Sequence, residues 1–168
     1  MNTKQQTSSE YFRTLQIIYY TLIAGLVMSC IVALYLNQNG GFYWQTDEVE
    51  KPMKKMIYLV ALFVFGGSAF GNWMFRKMIG IIKSMETLTE KMSSYRSALI
   101  AKYALFAGAS LFAIVAYYLS GNLLFLALSG LVILVFLTIK PTTARAANEL
   151  DLNLKDKQAI NDPDRVIA

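Results

Sequence analysis

No histidine occurs in this chain of 168 residues, and it holds one cysteine and three prolines. Each scarcity removes chemistry. Without imidazole, haem ligation by histidine, proton relays poised near neutral pH and histidine-dependent hydrolase triads are excluded. The single thiol, Cys30, closes no intrachain disulfide and supplies one ligand where a thiolate metal site needs several. Charge is scarce too: 16% of the residues are charged, against about a quarter in an ordinary soluble domain. The remaining charge leans basic, with 16 Lys and Arg against 11 Asp and Glu. These cations do not form a stripe interleaved with aromatics, so no nucleic-acid partner is expected.

Apolar residues take up the difference, at 55% of the chain. They gather in four stretches, residues 15–36, 56–75, 98–119 and 122–139. About 20 apolar residues in a helix cross the hydrocarbon core of a bilayer. The first three runs reach that length and the fourth is near the short limit. Ser120-Gly121-Asn122 reads as a turn that folds the last two helices into an antiparallel hairpin. A cleaved signal is the competing reading of the first run, since Val27-Met28-Ser29-Cys30 loosely resembles a lipidation box. The apolar run continues past Cys30 to Leu36, longer than a signal core of about 7 to 15 residues, so a retained span is expected.

Lys and Arg set the expected orientation. Thirteen of them flank the N-terminal, middle and C-terminal segments, and three, Lys51, Lys54 and Lys55, lie in the segment between spans one and two. Cytoplasmic segments carry the excess. Both termini and the middle segment are therefore expected in the cytoplasm, and a bacterial inner (plasma) membrane suits the size and topology. The chain divides into a tail at 1–14, a four-span domain at 15–139 and a tail at 140–168. Aromatics read as interfacial anchors: Tyr35, Phe42, Tyr43, Trp44, Tyr58, Tyr117 and Tyr118 outside; Tyr11, Phe12, Tyr19, Trp73, Phe75 and Tyr95 inside.

Residues 13–39 superpose on 96–122 at a constant offset of 83 with twelve identities in 27 positions, including Ile31-Val32-Ala33 over Ile114-Val115-Ala116. Both copies run from inside to outside, so the repeat is parallel. The fold class that follows is all-α, an integral membrane four-helix bundle built from two tandem helical hairpins, with spans one and three as equivalent elements. Between spans two and three, Met78, Ile81, Ile82, Met85, Leu88 and Met92 recur at helical spacing and predict a continuous amphipathic cytoplasmic stem. The C-terminal tail predicts a short helix to about Leu150, followed by a segment that is disordered or docks through Leu150, Leu152 and Leu154.

Candidate site residues are few. Gly67 and Gly71 form a G-x-x-x-G in span two, Gly25, Ser29 and Ala33 form a small-residue stripe in span one, and Gly108 repeats it in span three. Such residues let helix backbones approach, either within the bundle, which is the expectation, or between copies. No Asp or Glu falls within the spans. The polar candidates there are Lys102, expected to snorkel to the headgroups, and Asn72, expected to hydrogen-bond a neighbouring helix. No catalytic residue, cofactor or metal is expected, and Glu86, Glu90 and Glu149 read as solvated.

The stretch from Gly66 through the basic segment to Leu119 resembles the hairpin of the rotary-ATPase proteolipid, the ring-forming c or K subunit, and Arg13-Thr14-Leu15 and Arg96-Ser97-Ala98 resemble the basic start of its returning helix. A tandem duplication is similar to the vacuolar-type form. Where the resemblance implies an ion-binding carboxylate, this chain has Ala24 and Ala107, so a proteolipid-like protein unable to carry ions is implied. The leading expectation is a non-catalytic structural or assembly subunit of a membrane complex, partnered by the bilayer and by other subunits or itself. A small transporter or channel is the alternative.

Overall fold

The computed structural model describes the backbone of residues 6–40 and 50–167, and the side chains of 6–40 and 57–167. The outer-segment features, Phe42 to Trp44 and the charges from Asp47 to Lys55, lie outside those described side chains. The described residues form six helices, α1 (Ser8–Gln38), α2 (Glu50–Lys83), α3 (Leu88–Ser120), α4 (Leu123–Thr138), α5 (Thr143–Glu149) and α6 (Leu154–Asn161). Three of them, α1, α2 and α3, are long and apolar enough to cross a membrane. Helix α4 has 16 residues, a length of about 24 Å at 1.5 Å per residue, and falls short of a full hydrocarbon core by itself. It reaches span length when joined to α5, from which it is bent by 88°.

Helix boundaries follow from capping chemistry. Thr7 and Glu10 make a reciprocal capping box at the start of α1: the Thr7 hydroxyl accepts from the Glu10 N–H at 3.4 Å, and the Glu10 carboxylate accepts from the Thr7 N–H at 3.3 Å. Thr87 caps α3 by accepting from the Glu90 N–H at 3.3 Å. This cap overturns the continuous stem. Helix α2 ends at Lys83, and α3 begins at Leu88 after a four-residue turn. The apolar spacing runs through the break because both flanking turns bury the same face, with Ile82 and Met92 inside and Met85 and Leu88 half-buried. Gly121 has φ 68° at the end of α3, a left-handed conformation that glycine adopts without steric cost, and Asn122 then caps α4 through the Leu124 N–H.

The chain separates into two compact units. The first comprises residues 1–20, 73–102 and 140–168, that is, the N-terminal, middle and C-terminal segments together. Its core is formed by Tyr11, Leu15, Tyr19, Met92 and Tyr95 from the long helices and by Leu150, Ile160 and Ile167 from the tail, all at most 2% exposed. The Tyr11 hydroxyl donates to the Met92 carbonyl at 2.6 Å. Thr7 and Val166 form an antiparallel bridge, with Ser8 N–H donating to Arg165 and Ile167 N–H donating to Gln6. The inner-side aromatics are thus core rather than interfacial anchors, apart from Trp73, which is 53% exposed. A ring flanked by other elements on every side gains more from packing than from a headgroup contact.

The tail is ordered, and the reason is a helix end. After α5 the Leu152 N–H returns to the Ala147 carbonyl, a Schellman closure with Asp151 at φ 50° in the left-handed position. That closure reverses the chain so that Leu150 and Leu152 enter the core while Leu154, 80% exposed, does not.

The second unit comprises residues 21–72 and 103–139, and α3 is its middle element. Against α2, Phe63 stacks on Phe112 with ring centroids 4.6 Å apart. Against α4, the Tyr103 and Phe106 rings pack on Phe136, and the Tyr103 hydroxyl donates to the Ile139 carbonyl at 3.0 Å. The most apolar stretch of α3 is 56% buried, against 17% for α1 and for α2. Repeat-related positions share an environment in part: Val32 and Val115 are both exposed and Ala33 and Ala116 both buried, whereas Ile31 is 53% exposed and its counterpart Ile114 is buried. Identical residues differ because α3 has neighbours on more sides than α1.

Candidate functional site

The two sets of small residues separate. Gly71 is buried against α3, where a Cβ placed on it would lie 3.3 Å from the Leu105 Cβ and 3.6 Å from the Phe106 ring, and a Cβ on Gly67 would lie 3.7 Å from that of Ala109. Both glycines are used inside the unit to bring α2 close to α3. Gly25 and Gly108 have nothing within 4 Å of a built Cβ. Among the described residues, then, these two positions have room beside them that Gly67 and Gly71 lack.

Ser29 and Ala33 continue the α1 stripe into an apolar groove of about 340 Å³, lined by Met28, Ser29, Val32, Ala33 and Leu36 from α1 and by Ile114, Val115 and Tyr118 from α3. Ser29 turns its hydroxyl back to the Gly25 carbonyl at 2.8 Å, which satisfies the donor and leaves a methylene-like surface in the groove. Six of the groove's eight residues fall in the repeat-matched stretches 31–36 and 114–119.

Deeper in the same unit the Ser110 and Ser129 hydroxyls, both fully buried, meet at 2.7 Å, and the Cys30 thiol lies 3.7 Å from Ser129. Cys30 has a partner, which its apolar context did not suggest. Serines are common in apolar helices, so their pairing across α3 and α4 is visible only in three dimensions. Among the described residues no group of three or more His, Cys, Asp or Glu side chains is placed to hold a metal ion.

Polar density is concentrated in the first unit. Lys102 is 5% exposed, and its ammonium lies 4.4 Å from the centroid of the Phe75 ring. The cation is held against the face of an aromatic ring with Glu149 as the carboxylate within electrostatic reach. Glu149 is not a solvated residue. One of its oxygens accepts from the Tyr95 hydroxyl at 2.7 Å and the other from Arg145 Nε at 2.8 Å, one helical turn earlier on α5. Farther out, Lys83 at the end of α2 pairs with Asp151 at 2.7 Å, and this ammonium holds the Asp151 carboxyl below its ordinary value. Asn72 is half-buried at the end of the second unit's share of α2.

Comparison with protein-family models, with curated proteins and with solved structures returns no match for this chain. Fold and chemistry are therefore read from its own residues.

Proposed function

We propose that this chain is a non-catalytic subunit or assembly factor of a membrane complex, crossing the bilayer four times with both termini in the cytoplasm. One observation carries the reading: among the described residues Gly25 on α1 and Gly108 on α3 have no neighbour within 4 Å of a built Cβ, while the α2 glycines Gly71 and Gly67 are closed on Leu105 and Ala109. Open glycines beside an apolar groove suit the close approach of another transmembrane helix, because association within lipid is driven by tight packing rather than by water exclusion. The polar residues of both units support it from the other side. In the first unit Glu149 engages Tyr95 and Arg145, and in the second Ser110 engages Ser129, which is how structural networks are built. A proteolipid-like hairpin arrangement without an ion-binding carboxylate belongs to the same reading, with Ala107 buried and Ala24 exposed at the positions concerned.

Orientation rests on the first unit, which gathers the segments carrying most of the Lys and Arg, together with the preference of such segments for the cytoplasmic side. The test is the native mass of the protein extracted gently from its own membrane, with co-purifying chains identified by mass spectrometry. A defined complex with other subunits supports the reading. Recovery solely as a monomer or homo-oligomer overturns it.

A further inference from the structure

Charge divides along the same line as the fold. The chain passes between its two units at Tyr20 to Thr21, Asn72 to Trp73, Lys102 to Tyr103 and Ile139 to Lys140. Every charged side chain among the described residues belongs to the first unit, and none falls in 21–40, 57–72 or 103–139. Apolar exposure runs the opposite way. The first unit buries Tyr11, Leu15, Met92, Leu150 and Ile160 and carries its charged side chains mostly at the surface, the arrangement that water selects. The second unit holds most of the large apolar side chains that stand exposed, among them Leu62 at 74%, Leu134 at 66% and Ile31 at 53%. A surface of that extent is unfavourable in water and neutral among acyl chains, which are as apolar as leucine.

Helix lengths place the same boundary. Helices α1 and α3 have 31 and 33 residues, about 46 and 50 Å at 1.5 Å per residue, well beyond a hydrocarbon core of about 30 Å. Their parts within the second unit, 21–38 and 103–120, have 18 residues each and run about 27 Å. Helix α4 lies wholly in that unit and, at about 24 Å, comes near the same thickness without α5. That leaves α5, with Arg145 and Glu149, on the water side. Two of the places where the chain leaves the first unit carry an exposed aromatic ring beside an ammonium. The Lys77 ammonium lies 4.3 Å from the centroid of Trp73, which is 53% exposed, and that of Lys140 lies 5.5 Å from the centroid of Tyr20, which is 50% exposed. Indole and phenol rings settle at headgroup level, and lysine beside them reaches for water.

We infer that the second unit alone presents its surface to the acyl chains of the bilayer, with Tyr20 and Trp73 at the headgroups, and that the first unit is a water-facing domain that includes residues 8–20 of α1 and 88–102 of α3. The inference rests on the membrane reading above and moves its basic-side boundary: residues 15–20 and 98–102 belong to apolar runs, yet they stand outside the lipid as part of a folded core.

The experiment uses the full chain carrying Cys30→Ala, purified and reconstituted alone in liposomes of phosphatidylglycerol and phosphatidylcholine, with one cysteine placed at an exposed position in each variant. N-ethylmaleimide crosses bilayers but alkylates the thiolate, which forms in water and not in hydrocarbon, so its rate reads hydration on either side of the membrane. Each rate is divided by that of the same variant unfolded in sodium dodecyl sulfate. Ile17→Cys and Ile100→Cys replace residues 57% and 37% exposed and should react at a rate comparable to Leu154→Cys, at a residue 80% exposed. Leu62→Cys and Leu134→Cys replace residues as open as these in the isolated chain and should react more slowly by about tenfold or more, because acyl chains cover them. Slow reaction at Ile17 or Ile100, with Leu62 and Leu134 also slow, would overturn the boundary and leave the membrane reading standing. Fast reaction at Leu62 or Leu134 would overturn both. Protection there that disappears on dilution in lipid would mean that a second copy of the chain, rather than acyl chains, covers the surface, and would overturn the inference as well.

Discussion

The phenol of Tyr95 on α3 donates to the carboxylate of Glu149 on α5 at 2.7 Å, joining the middle segment to the C-terminal tail across 54 residues of sequence. Tyr95 is fully buried, so its hydroxyl has no water to turn to when that acceptor is lost. Tyr95→Phe should destabilise the chain by about 1.5 to 3 kcal/mol, the range for hydrogen bonds to charged groups. Glu149→Ala should cost more, because it removes an acceptor from both Tyr95 and Arg145. Urea unfolding in mild detergent followed by far-ultraviolet circular dichroism measures both.

Leucines of the tail are expected to divide sharply. Leu150→Ala removes a side chain that is 2% exposed and should cost about 2 to 5 kcal/mol, whereas Leu154→Ala acts on a residue that is 80% exposed and should stay within about 0.5 kcal/mol. Limited proteolysis offers a second readout: the tail of Leu150→Ala should be cut far faster than that of the unaltered chain. Equal effects at the two positions would contradict the docking described.

Glycine substitutions separate internal packing from external assembly. Gly71→Leu drives a branched side chain into Leu105 and Phe106 and should lose about 1 to 3 kcal/mol by overpacking. A Cβ on Gly25 or Gly108 has no neighbour within 4 Å among the described residues, so the unfolding midpoint of Gly25→Leu and of Gly108→Leu should not fall. If another helix seats there, the same two substitutions should abolish its co-purification. Retention of the partner by both variants would count against the proposed assembly face.

Acid sensitivity should include a contribution from Asp151. Its carboxyl titrates below the ordinary 3.8 in the folded chain because of Lys83, so the folded state binds protons less readily than the unfolded state. The stabilisation is fully present above that ordinary value and is lost as pH falls through the depressed folded one. Asp151→Asn should remove this acid-side dependence and leave the slope near neutrality unchanged. Because the pair is exposed, the effect should be small and should shrink further in high salt. Stability measured from pH 2 to 6 checks the sign.

Buried hydroxyls give a fourth comparison. Ser129→Ala removes the partner of both Ser110 and Cys30 and should cost about 0.6 kcal/mol, the mean for hydrogen bonds between helices in a membrane. Cys30→Ala, which removes a weaker and longer contact, should cost less. Unfolding in mixed sodium dodecyl sulfate micelles measures the difference.

Much of the helical content was legible because it rests on local rules. An uninterrupted apolar run needs no partner to announce itself, and Gly121-Asn122 ends one helix and caps the next within two residues. The break at residues 84–87 was legible in principle, since Thr87 and Glu90 stand at capping-box spacing, but a sustained apolar period masked it. The site was much less visible. Glu149 looks solvated in sequence because its partners Tyr95 and Lys102 lie about 50 residues away, and Lys102 looks like a snorkelling cation because Phe75 belongs to another helix.

By itself, the sequence determined that the chain is helical and apolar enough to enter a membrane, and it excluded imidazole and intramembrane carboxylate chemistry. Those conclusions depend on composition and on spacing within single helices, which no fold can alter. Only the tertiary structure decided which of two chemically similar residues is used: Gly71 is packed and Gly25 open, Leu150 is buried and Leu154 exposed, Ile114 is inside and Ile31 outside. Burial is a property of neighbours. Where those neighbours come from distant parts of the chain, local pattern carries no record of them.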